Sequence, residues 1–336
     1  MKIIIPMAGR GSRLRPHTLT VPKPLIPVGG KPIVHRLVED IARVCSEPID
    51  EIGFVIGDFG KEVEEELIRV AERLGAKGKI FHQTEPLGTA HAVLCAEELL
   101  DGPVVVAFAD TLFKADFTIH PEDDGILWVK KIEDPSAFGV IKMNEKNEII
   151  DFVEKPQTFV SDLAMIGVYY FKDAGKLKNE LNYLLDNNII KGGEYQLPDA
   201  LRRLTEKGSV FKPGEVKEWL DCGNKVVTVH ANQRVLEFDQ EKNIPLVDES
   251  AKIKNSIIVP PCYIGKDVAI TNSVIGPHVS IGANSEITGS VIENTIIQEK
   301  VLLSQVNIKD SMIGNHSNVK AVQKDVSIGD YTSIDI

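Results

Sequence analysis

The chain has 336 residues, of which 43% are hydrophobic and 26% charged, and its formal net charge is −11 at pH 7. This length favours two domains, and the acidic balance argues against a general nucleic-acid or membrane binder, because such proteins usually carry basic patches. The four cysteines lie far apart without a Cys-x-x-Cys pair, which favours reduced thiols in the cytoplasm over disulfides or zinc. The first apolar run is too short for a secretory signal, and no run approaches the ~20 residues that span a bilayer.

A short apolar run at Ile3–Ile5 predicts a buried parallel strand, and a turn with Gly9 and Gly11 follows it directly. Backbone N–H groups in such a turn can approach a phosphate. Arg13 and Lys23 then place two fixed cations close to the turn in sequence. The segment therefore predicts a site for a triphosphate. It is neither a P-loop, which ends in Gly-Lys-Ser/Thr, nor a dinucleotide loop, which needs a third glycine.

Up to about residue 240, strand-like runs alternate with amphipathic segments. Ile52–Ile56 and Val104–Phe108 read as strands, and residues 32–45, 61–74 and 88–100 have helical spacing. This alternation predicts an α/β domain with a mostly parallel sheet and helices on both faces. Ligands of such domains bind at the carboxyl ends of the strands.

From about residue 250 the helical spacing disappears, and aliphatic residues recur about every six positions. Several precede glycine, and these pairs are Ile264-Gly265, Ile275-Gly276, Ile281-Gly282, Ile313-Gly314 and Ile328-Gly329. So short a repeat predicts a stacked solenoid, and the pattern resembles hexapeptide-repeat left-handed β-helices. We therefore expect a domain over 1–240, a linker over 241–250 and a β-helix over 251–336. With about 18 residues per coil the last segment supplies four to five coils.

The string Gly-x-Gly-Ser-Arg-Leu-x-Pro over residues 9–16, with Pro22-Lys23-Pro24-Leu25 after it, resembles the nucleotide loop of the sugar-1-phosphate nucleotidyltransferases. The resemblance implies a Rossmann-like domain that forms a nucleoside-diphosphate sugar and pyrophosphate from a nucleoside triphosphate and a sugar-1-phosphate, with Mg²⁺. It makes Arg13 and Lys23 the catalytic cations. Nucleotide binding would fall to Ala8, Gly9, Gly11, Ser12, Arg13, Gln83, Pro86, Gly88 and Thr89.

Two aspartates are candidates for the metal. Asp110 follows the apolar run Val104–Ala109, although an aspartate at such a position can also be an ordinary turn cap. Asp221, in Trp-Leu-Asp-Cys-Gly-Asn, resembles the second metal-binding aspartate of the thymidylyl- and guanylyl-transferring members. Two carboxylates on one Mg²⁺ is the arrangement we expect, because this ion takes oxygen ligands.

Gln83 aligns with the residue that reads the base in the family. An amide can match uracil or thymine as both acceptor and donor, whereas related guanylyltransferases typically have Glu at this position. We therefore expect dTTP or UTP as the nucleotide, and the resemblance to the thymidylyl-transferring members implies glucose-1-phosphate as the sugar substrate. A mannose-1-phosphate guanylyltransferase is the alternative within the family.

The segments around Phe138-Gly139-Val140, Phe152–Pro156 and Ile166–Tyr169 resemble the sugar-binding segments of the family. The resemblance assigns contacts with the sugar phosphate to Gly139, Glu154, Lys155, Gly167 and Tyr169. The thymidylyltransferases have an arginine where this chain has Gly192, and the neighbouring Lys191 is the candidate to replace it. The first two segments predict a hairpin with its turn near residues 144–147.

Two other classes of function stay open at this point. A regulatory or scaffold protein could bind sugar nucleotides without turnover, and a bifunctional enzyme could add acyl transfer through His278 or His316. The β-helix also suggests a homo-oligomer, either a dimer or a tetramer, because its aliphatic edges must be capped or paired.

Overall fold

The computed structural model describes residues 1–9, 11–120 and 122–321. Packing divides the chain into two compact units. The first comprises Met1–Ile26 and Lys31–Val227, and the second comprises Pro27–Gly30 and the chain from Thr228 onward. The limits predicted from the sequence, 1–240 and 251–336, stay predictions. The last predicted Ile-Gly pair, Ile328-Gly329, lies outside the described residues.

The first part of the chain alternates strands with helices, as expected. Its strands are β1 (Lys2–Pro6), β2 (Pro27–Val28), β3 (Lys31–Pro32), β4 (Glu51–Ile56), β5 (Lys77–His82), β6 (Val104–Ala107), β7 (Thr111–Lys114), β8 (Gly125–Lys131), β9 (Gly139–Met143), β10 (Ile149–Glu154), β11 (Leu163–Phe171), β12 (Phe211–Glu215) and β13 (Glu218–Asp221). The α-helices are α1 (Ile33–Val44), α2 (Lys61–Arg73), α3 (Thr89–Leu94), α4 (Ala174–Asp186), α5 (Leu197–Glu206) and α6 (Lys225–Glu241).

A nine-stranded sheet forms the centre of the first unit, in the order β5-β4-β1-β6-β11-β8-β12-β10-β9. Strands β5, β4, β1 and β6 run parallel, while β11 is antiparallel to both β6 and β8. The α/β class is confirmed, and the sheet is mixed because β10 and β11 run antiparallel to their neighbours, whereas β12 is parallel to β8. The four parallel strands share one carboxyl edge, where the glycine turn after β1 lies.

Burial explains why these segments form strands and helices. Ile3, Ile4 and Ile5 are fully buried in β1, as are Val104–Ala107 in β6, which is typical of strands covered on both faces. Helix α1 buries Ile33, Leu37 and Ile41 along one stripe. The segment predicted as one helix over 88–100 is instead the short helix α3 followed by a 3₁₀ turn at Glu97–Leu99.

The predicted hairpin is also present. Strands β9 and β10 pair antiparallel, with Gly139 opposite Glu154, and Asn147 adopts a left-handed conformation in the turn between them. Separately, β7 and β13 form a two-stranded ribbon in which Thr111 is opposite Asp221.

The second unit consists of much of α6, the segment 27–30 and three stacks of short parallel strands that form the predicted left-handed β-helix. Its strands are β14 (Lys252–Lys254), β15 (Ile257–Ile258), β16 (Cys262–Ile264), β17 (Ala269–Thr271), β18 (Val274–Ile275), β19 (Val279–Ile281), β20 (Glu286–Thr288), β21 (Val291–Glu293), β22 (Ile296–Ile297), β23 (Leu302–Ser304), β24 (Asn307–Lys309), β25 (Met312–Ile313) and β26 (Asn318–Lys320). They stack in the orders β14-β17-β20-β23-β26, β15-β18-β21-β24 and β16-β19-β22-β25.

The coils are slightly shorter than the sequence suggested. Ser256 and Ser273 hydrogen-bond between successive coils at a spacing of 17 residues, and Ser285 and Val301 do so at 16. Single residues with positive φ recur at the corners, for example Asn255, Asn272 and Gln305 at one corner. Such residues turn the chain sharply, so each coil needs fewer than three full hexapeptides.

A buried amide joins three parts of the second unit. Asn232 on α6 is fully buried, and its Oδ1 accepts hydrogen bonds from Gly29 N at 2.8 Å and Ser280 Oγ at 2.7 Å. Its Nδ2 donates to His278 O at 3.2 Å. Asn232 thus connects the segment 27–30, α6 and the β-helix within one hydrogen-bonded set.

None of the helices in the described parts of the chain is long and apolar enough to cross a membrane.

The substitution Asn232→Leu should lower the free energy of unfolding by about 2–4 kcal/mol, because it leaves buried donors without partners. Chemical denaturation of the full chain measures this loss. Gln233→Leu is the matched control, since Gln233 is half-buried on the same helix and donates to Glu237. Equal stability of the two variants would contradict the role of Asn232.

Candidate functional site

The turn after β1 depends on Gly11. Gly11 has φ +59°, and a Cβ there would lie 3.0 Å from Cβ of Lys23 and 3.2 Å from Cγ2 of Thr18. The Thr18 hydroxyl donates to Gly11 O at 2.8 Å, which fixes the turn against the segment that follows. Glycine at this position therefore meets both a conformational and a steric requirement, and it brings Lys23 against the turn. Arg10 lies outside the described residues.

An open cavity of about 270 Å³ lies at the carboxyl edge of the parallel strands. The loops after β1, β5 and β6 all contribute to it, as expected for an α/β sheet. Its lining consists of Pro6, Met7, Ala8, Gly9, Gly11, Lys23, Pro24, Gln83, Pro86, Gly88, Thr89, Ala92, Phe108, Ala109, Asp110 and Glu194. The structure thus brings together segments that lie more than 180 residues apart in sequence.

Many of the residues singled out in the sequence line this cavity. Those that do are Ala8, Gly9, Gly11, Lys23, Gln83, Pro86, Gly88, Thr89 and Asp110. Those outside the lining are Ser12, Arg13, Gly139, Glu154, Lys155, Gly167, Tyr169, Lys191 and Asp221. Glu194 is the polar lining residue that sequence reasoning missed.

Glu194 lines the cavity because backbone hydrogen bonds join the residue after it, Tyr195, to the segment 87–90. Tyr195 N donates to Leu87 O at 2.8 Å, and Ala90 N donates to Tyr195 O at 3.0 Å. A Cβ on Gly88 would lie only 2.5 Å from Tyr195 O and 2.8 Å from Cβ of Glu194. The signal in the sequence was Gly88 itself, but its partner segment could not be read from the sequence.

Lys23 and Asp110 form an ion pair in the cavity, with Nζ 2.7 Å from Oδ2. The side chain of Lys23 is 13% exposed and that of Asp110 is 36% exposed. Cys222 N donates to Asp110 O at 2.9 Å, so the backbone directly after Asp221 is tied to that of Asp110. The ribbon of β7 and β13 therefore carries the second aspartate towards the first.

Electrostatics confirm that the two carboxylates are close. Burial raises the pKa of Asp221, and the negative charge of Asp110 raises it further, while Lys23 and Arg13 oppose both effects. A Cβ on Gly223 would lie 3.0 Å from Oδ1 of Asp221, so glycine leaves room for this carboxylate. Arg13 is exposed and outside the lining, yet its charge acts on the same group.

The pair of carboxylates suits a hard cation. Mg²⁺ is commonly held by one or two carboxylates together with substrate phosphates, and a cation between Asp110 and Asp221 would relieve the repulsion that raises the pKa of Asp221. Among the described residues no group of three or more His, Cys, Asp or Glu side chains could hold a metal ion. The donor set is therefore one that phosphate oxygens would complete.

The residues expected at the sugar lie together beside Tyr169. A Cβ on Gly139 would lie 2.7 Å from Oε2 of Glu154. Burial raises the pKa of Glu154, and it also raises the pKa of Tyr169, to which the charge of Glu154 contributes. The ring of Tyr169 meets that of Phe108 edge-on, with centroids 6.3 Å apart. Phe108 lines the cavity, so this cluster adjoins it.

Two further expected residues have definite positions. Gly167 has φ +84° and accepts a hydrogen bond from Phe108 N at 2.9 Å, which places it beside the cavity. Lys191 instead pairs with Asp199, with Nζ 2.5 Å from Oδ1, and its side chain is 59% exposed. Its role at a sugar phosphate stays a prediction.

The two histidines considered for acyl transfer occupy corners of the β-helix. His278 and His316 both have positive φ, and Nε2 of His278 lies 3.0 Å from Oε1 of Glu237 on α6. Each histidine therefore forms part of a turn between two strands of the β-helix.

Comparisons with known proteins agree with this geometry. The model of the nucleotidyl transferase family matches residues 2–237. The bifunctional protein GlmU of Methanococcus aeolicus is 31% identical over 77% of this chain and 59% of its own length, so the chain spans about three fifths of that relative. The low-salt glycan biosynthesis nucleotidyltransferase Agl11 of Haloferax volcanii is 31% identical over 76% of this chain and 72% of its own.

One further relative aligns with nearly the whole chain, and two solved structures share its fold. A glucose-1-phosphate thymidylyltransferase of Streptomyces griseus is 29% identical over 95% of this chain and 93% of its own. The crystal structure of a putative glucose-1-phosphate thymidylyltransferase from Bacillus anthracis, bound to sucrose, has a TM-score of 0.58 at 24% identity, over 69% of this chain and 93% of its own. A UDP-glucose pyrophosphorylase complexed with UDP-glucose has a TM-score of 0.57 at 24% identity, over 70% and 98%. The family match over residues 2–237, the relatives at 31% identity and the shared fold establish that the chain belongs to the nucleotidyl transferase family, among its sugar-1-phosphate nucleotidyltransferases.

Proposed function

We propose that this protein transfers a nucleoside monophosphate from dTTP or UTP to glucose-1-phosphate and releases pyrophosphate. An oxygen of the sugar phosphate forms a bond to the α-phosphorus, and the bond from the α-phosphorus to the leaving pyrophosphate breaks. The attacking oxygen is already anionic near neutral pH, so the step needs no general base. Positioning and neutralisation of charge then carry the catalysis.

One observation carries this proposal: a single cavity is lined by the glycine turn, Gln83 and the ion pair of Lys23 with Asp110. The turn supplies backbone N–H groups for phosphates, and Gln83 supplies an amide that can hydrogen-bond to a base. The ion pair adds a cation and a carboxylate to the same cavity, which we assign to the reacting phosphates and their metal ion. A nucleoside triphosphate matches this sequence of groups.

Lys23 is the cation best placed to act on the reacting phosphates. Its side chain is largely buried and reaches Asp110, so it is held by the fold before substrate arrives. We assign it to the α-phosphate and the attacking phosphate. Arg13, which is exposed and whose charge acts on Asp221, is assigned to the leaving pyrophosphate. Fixed cations that face developing charge are worth most where water is partly excluded.

Asp110 and Asp221 are the residues that would hold Mg²⁺. When bound, this ion supplies neutralisation of the charge on the phosphate oxygens. The protein contributes the arrangement of the two carboxylates: the β7–β13 ribbon fixes Asp221, and the Lys23 ion pair orients Asp110.

The sugar is assigned to the cluster of Gly139, Glu154, Lys155, Gly167 and Tyr169 beside Phe108. Glu154 can accept hydrogen bonds from sugar hydroxyls, and Gly139 leaves room for its carboxylate, because a Cβ there would lie 2.7 Å from Oε2 of Glu154. The choice of glucose rests on the Streptomyces griseus relative, whose name specifies that substrate and which aligns over nearly the whole chain.

Pyrophosphate release with Mg²⁺ tests the proposal directly. The protein is assayed with dTTP, UTP, GTP, CTP and ATP against glucose-, mannose- and N-acetylglucosamine-1-phosphate. Highest kcat/KM with dTTP or UTP and glucose-1-phosphate is the expected result. A preference for GTP and mannose-1-phosphate would contradict the assignment of the base. If the folded protein released no pyrophosphate with any pair of substrates, the result would favour a binding protein without turnover.

Lys23→Ala and Asp110→Asn should each lower kcat/KM on the order of 10²–10³-fold, because each removes charge at the reacting phosphates. Their free energies of unfolding should change by about 1 kcal/mol or less, since the pair is partly exposed. Steady-state kinetics and denaturation measure the two effects separately.

Lys212→Ala is the matched control for the lysine. Lys212 lies 2.7 Å from Asp123, the same distance as in the cavity pair, and it does not line the cavity. The control should retain full activity. Equal kinetics for Lys23→Ala and Lys212→Ala would contradict the role of Lys23.

Asp221→Asn should abolish most activity while leaving Tm at pH 7 in EDTA unchanged or higher. Because the pKa of Asp221 is raised above its ordinary value of 3.8 in the folded protein, the ionised group lowers stability at neutral pH. That penalty disappears as the pH falls below the ordinary value, so the difference in Tm between variant and wild type should shrink towards pH 3. Thermal unfolding at several pH values measures it.

Asp134→Asn provides a control of opposite sign. Hydrogen bonds from Ser136 lower the pKa of Asp134, so this carboxylate adds stability at neutral pH, and its substitution should lower Tm there. A fall of Tm at pH 7 for Asp221→Asn as well would show that Asp221 is not held under charge repulsion.

A further inference from the structure

Among the described residues, the hydrogen bonds of the Gln83 side-chain amide are all made by Nε2. Its Nε2 donates to Gly88 O at 3.2 Å and lies 3.1 Å from Nδ1 of His91. A glutamine amide has two N–H donors and one carbonyl acceptor, so these two contacts engage both donors. This differs from the combined donor and acceptor match that the sequence suggested, because Oε1 alone is left for a base.

The direction of these bonds fixes the state of His91. The amide nitrogen can only donate, so Nδ1 of His91 must accept and carries no proton. In the neutral ring the proton is therefore on Nε2, which lies 4.0 Å from Sγ of Cys95, one helical turn further along. Burial raises the pKa of Cys95, which keeps this sulfur a neutral thiol.

The backbone of His91 is held in place by its surroundings. It lies in α3, near the hydrogen bonds of Leu87 and Ala90 with Tyr195, and Cys95 N donates to His91 O at 3.0 Å. From this position the ring nitrogen can favour one of the two orientations of the neighbouring amide, which differ by a half-turn. In this orientation Gln83 offers a carbonyl oxygen to the cavity.

We propose that His91 is a positioning residue that holds the Gln83 amide with its oxygen towards the base and so selects an imide N–H, as in uracil or thymine, over the N3 acceptor of cytosine. The inference rests on the proposed function, since it takes Gln83 as the group that reads the base. Without the Nδ1 acceptor the amide keeps its bond to Gly88 O but loses the second bond, so the turned orientation, whose N–H groups suit cytosine, costs less free energy.

The test compares kcat/KM for UTP with kcat/KM for CTP, both with glucose-1-phosphate, in the wild type and in variants. His91→Phe keeps a ring on α3 but removes the acceptor, and the UTP:CTP ratio should fall by roughly tenfold. His91→Asn can place an amide oxygen near the position of Nδ1, and it should restore most of the ratio. His82→Phe is the matched control, because His82 is exposed on β5 next to Gln83 and lies 3.6 Å from Glu64.

A loss of overall activity in His91→Phe with an unchanged UTP:CTP ratio would overturn the proposal, because it would mark His91 as merely structural. The same applies if His91→Asn behaves like His91→Phe. Failure of the proposed function has a different signature, namely no turnover of any nucleotide by the wild-type protein, and the inference would then fall with it.

Nuclear magnetic resonance gives a readout without turnover. Long-range ¹H–¹⁵N correlations of the histidine rings in the wild-type protein should show that the neutral ring of His91 carries its proton on Nε2, and His91→Phe identifies the signals. A proton on Nδ1 would overturn the proposal, since Nδ1 could not then accept from Gln83.

Discussion

The arrangement of charge around Lys23 is the constraint on which the site depends. Two carboxylates, Asp110 and Asp221, lie close enough for one to raise the pKa of the other, and in a partly buried place such repulsion costs stability. Lys23 offsets it by pairing with Asp110 at 2.7 Å. In this arrangement the two carboxylates can attract a metal ion while Lys23 can attract phosphate oxygens.

Several local features serve to bring these charges together. Gly11 lets the turn after β1 pass close to Cβ of Lys23, and the parallel strands β1 and β6 end at the same edge of the sheet. The ribbon of β7 and β13 then adds Asp221 from a distant part of the sequence. Backbone bonds and close glycine contacts, rather than side-chain charge alone, therefore set the geometry, which is how rigid sites are usually built.

Much of this could be predicted from the sequence. Buried strands such as Ile3–Ile5, the helical spacing of α1 and α2 and the aliphatic repeat after residue 250 are local patterns with strong periods. The start of α3 at Gly88 and the hairpin between Gly139 and Glu154 were also readable. The family resemblance predicts Lys23 and the position after a buried strand predicts Asp110, but neither reveals the ion pair between them.

The remainder depends on contacts between distant segments. Glu194 lines the cavity because the backbone of Tyr195 is hydrogen-bonded to Leu87 and Ala90, and no spacing in the sequence reveals that pairing. The partners of the Gln83 amide depend in the same way on the orientation of His91. The coils of 16 or 17 residues reflect sharp corners at residues with positive φ, such as Asn272, which propensity alone does not place.

The most direct test of this account is binding of Mn²⁺, as a magnetic substitute for Mg²⁺ at oxygen ligands, in the presence of a non-hydrolysable UTP analogue. Electron paramagnetic resonance measures the free ion during titration of the wild-type protein and of the double variant Asp110→Asn, Asp221→Asn. The wild-type protein with the analogue should bind one Mn²⁺ per chain. With the double variant, Mn²⁺ binding should fall to the level that the analogue shows without protein. Identical binding curves for the two proteins would contradict the claim that these carboxylates form the metal site.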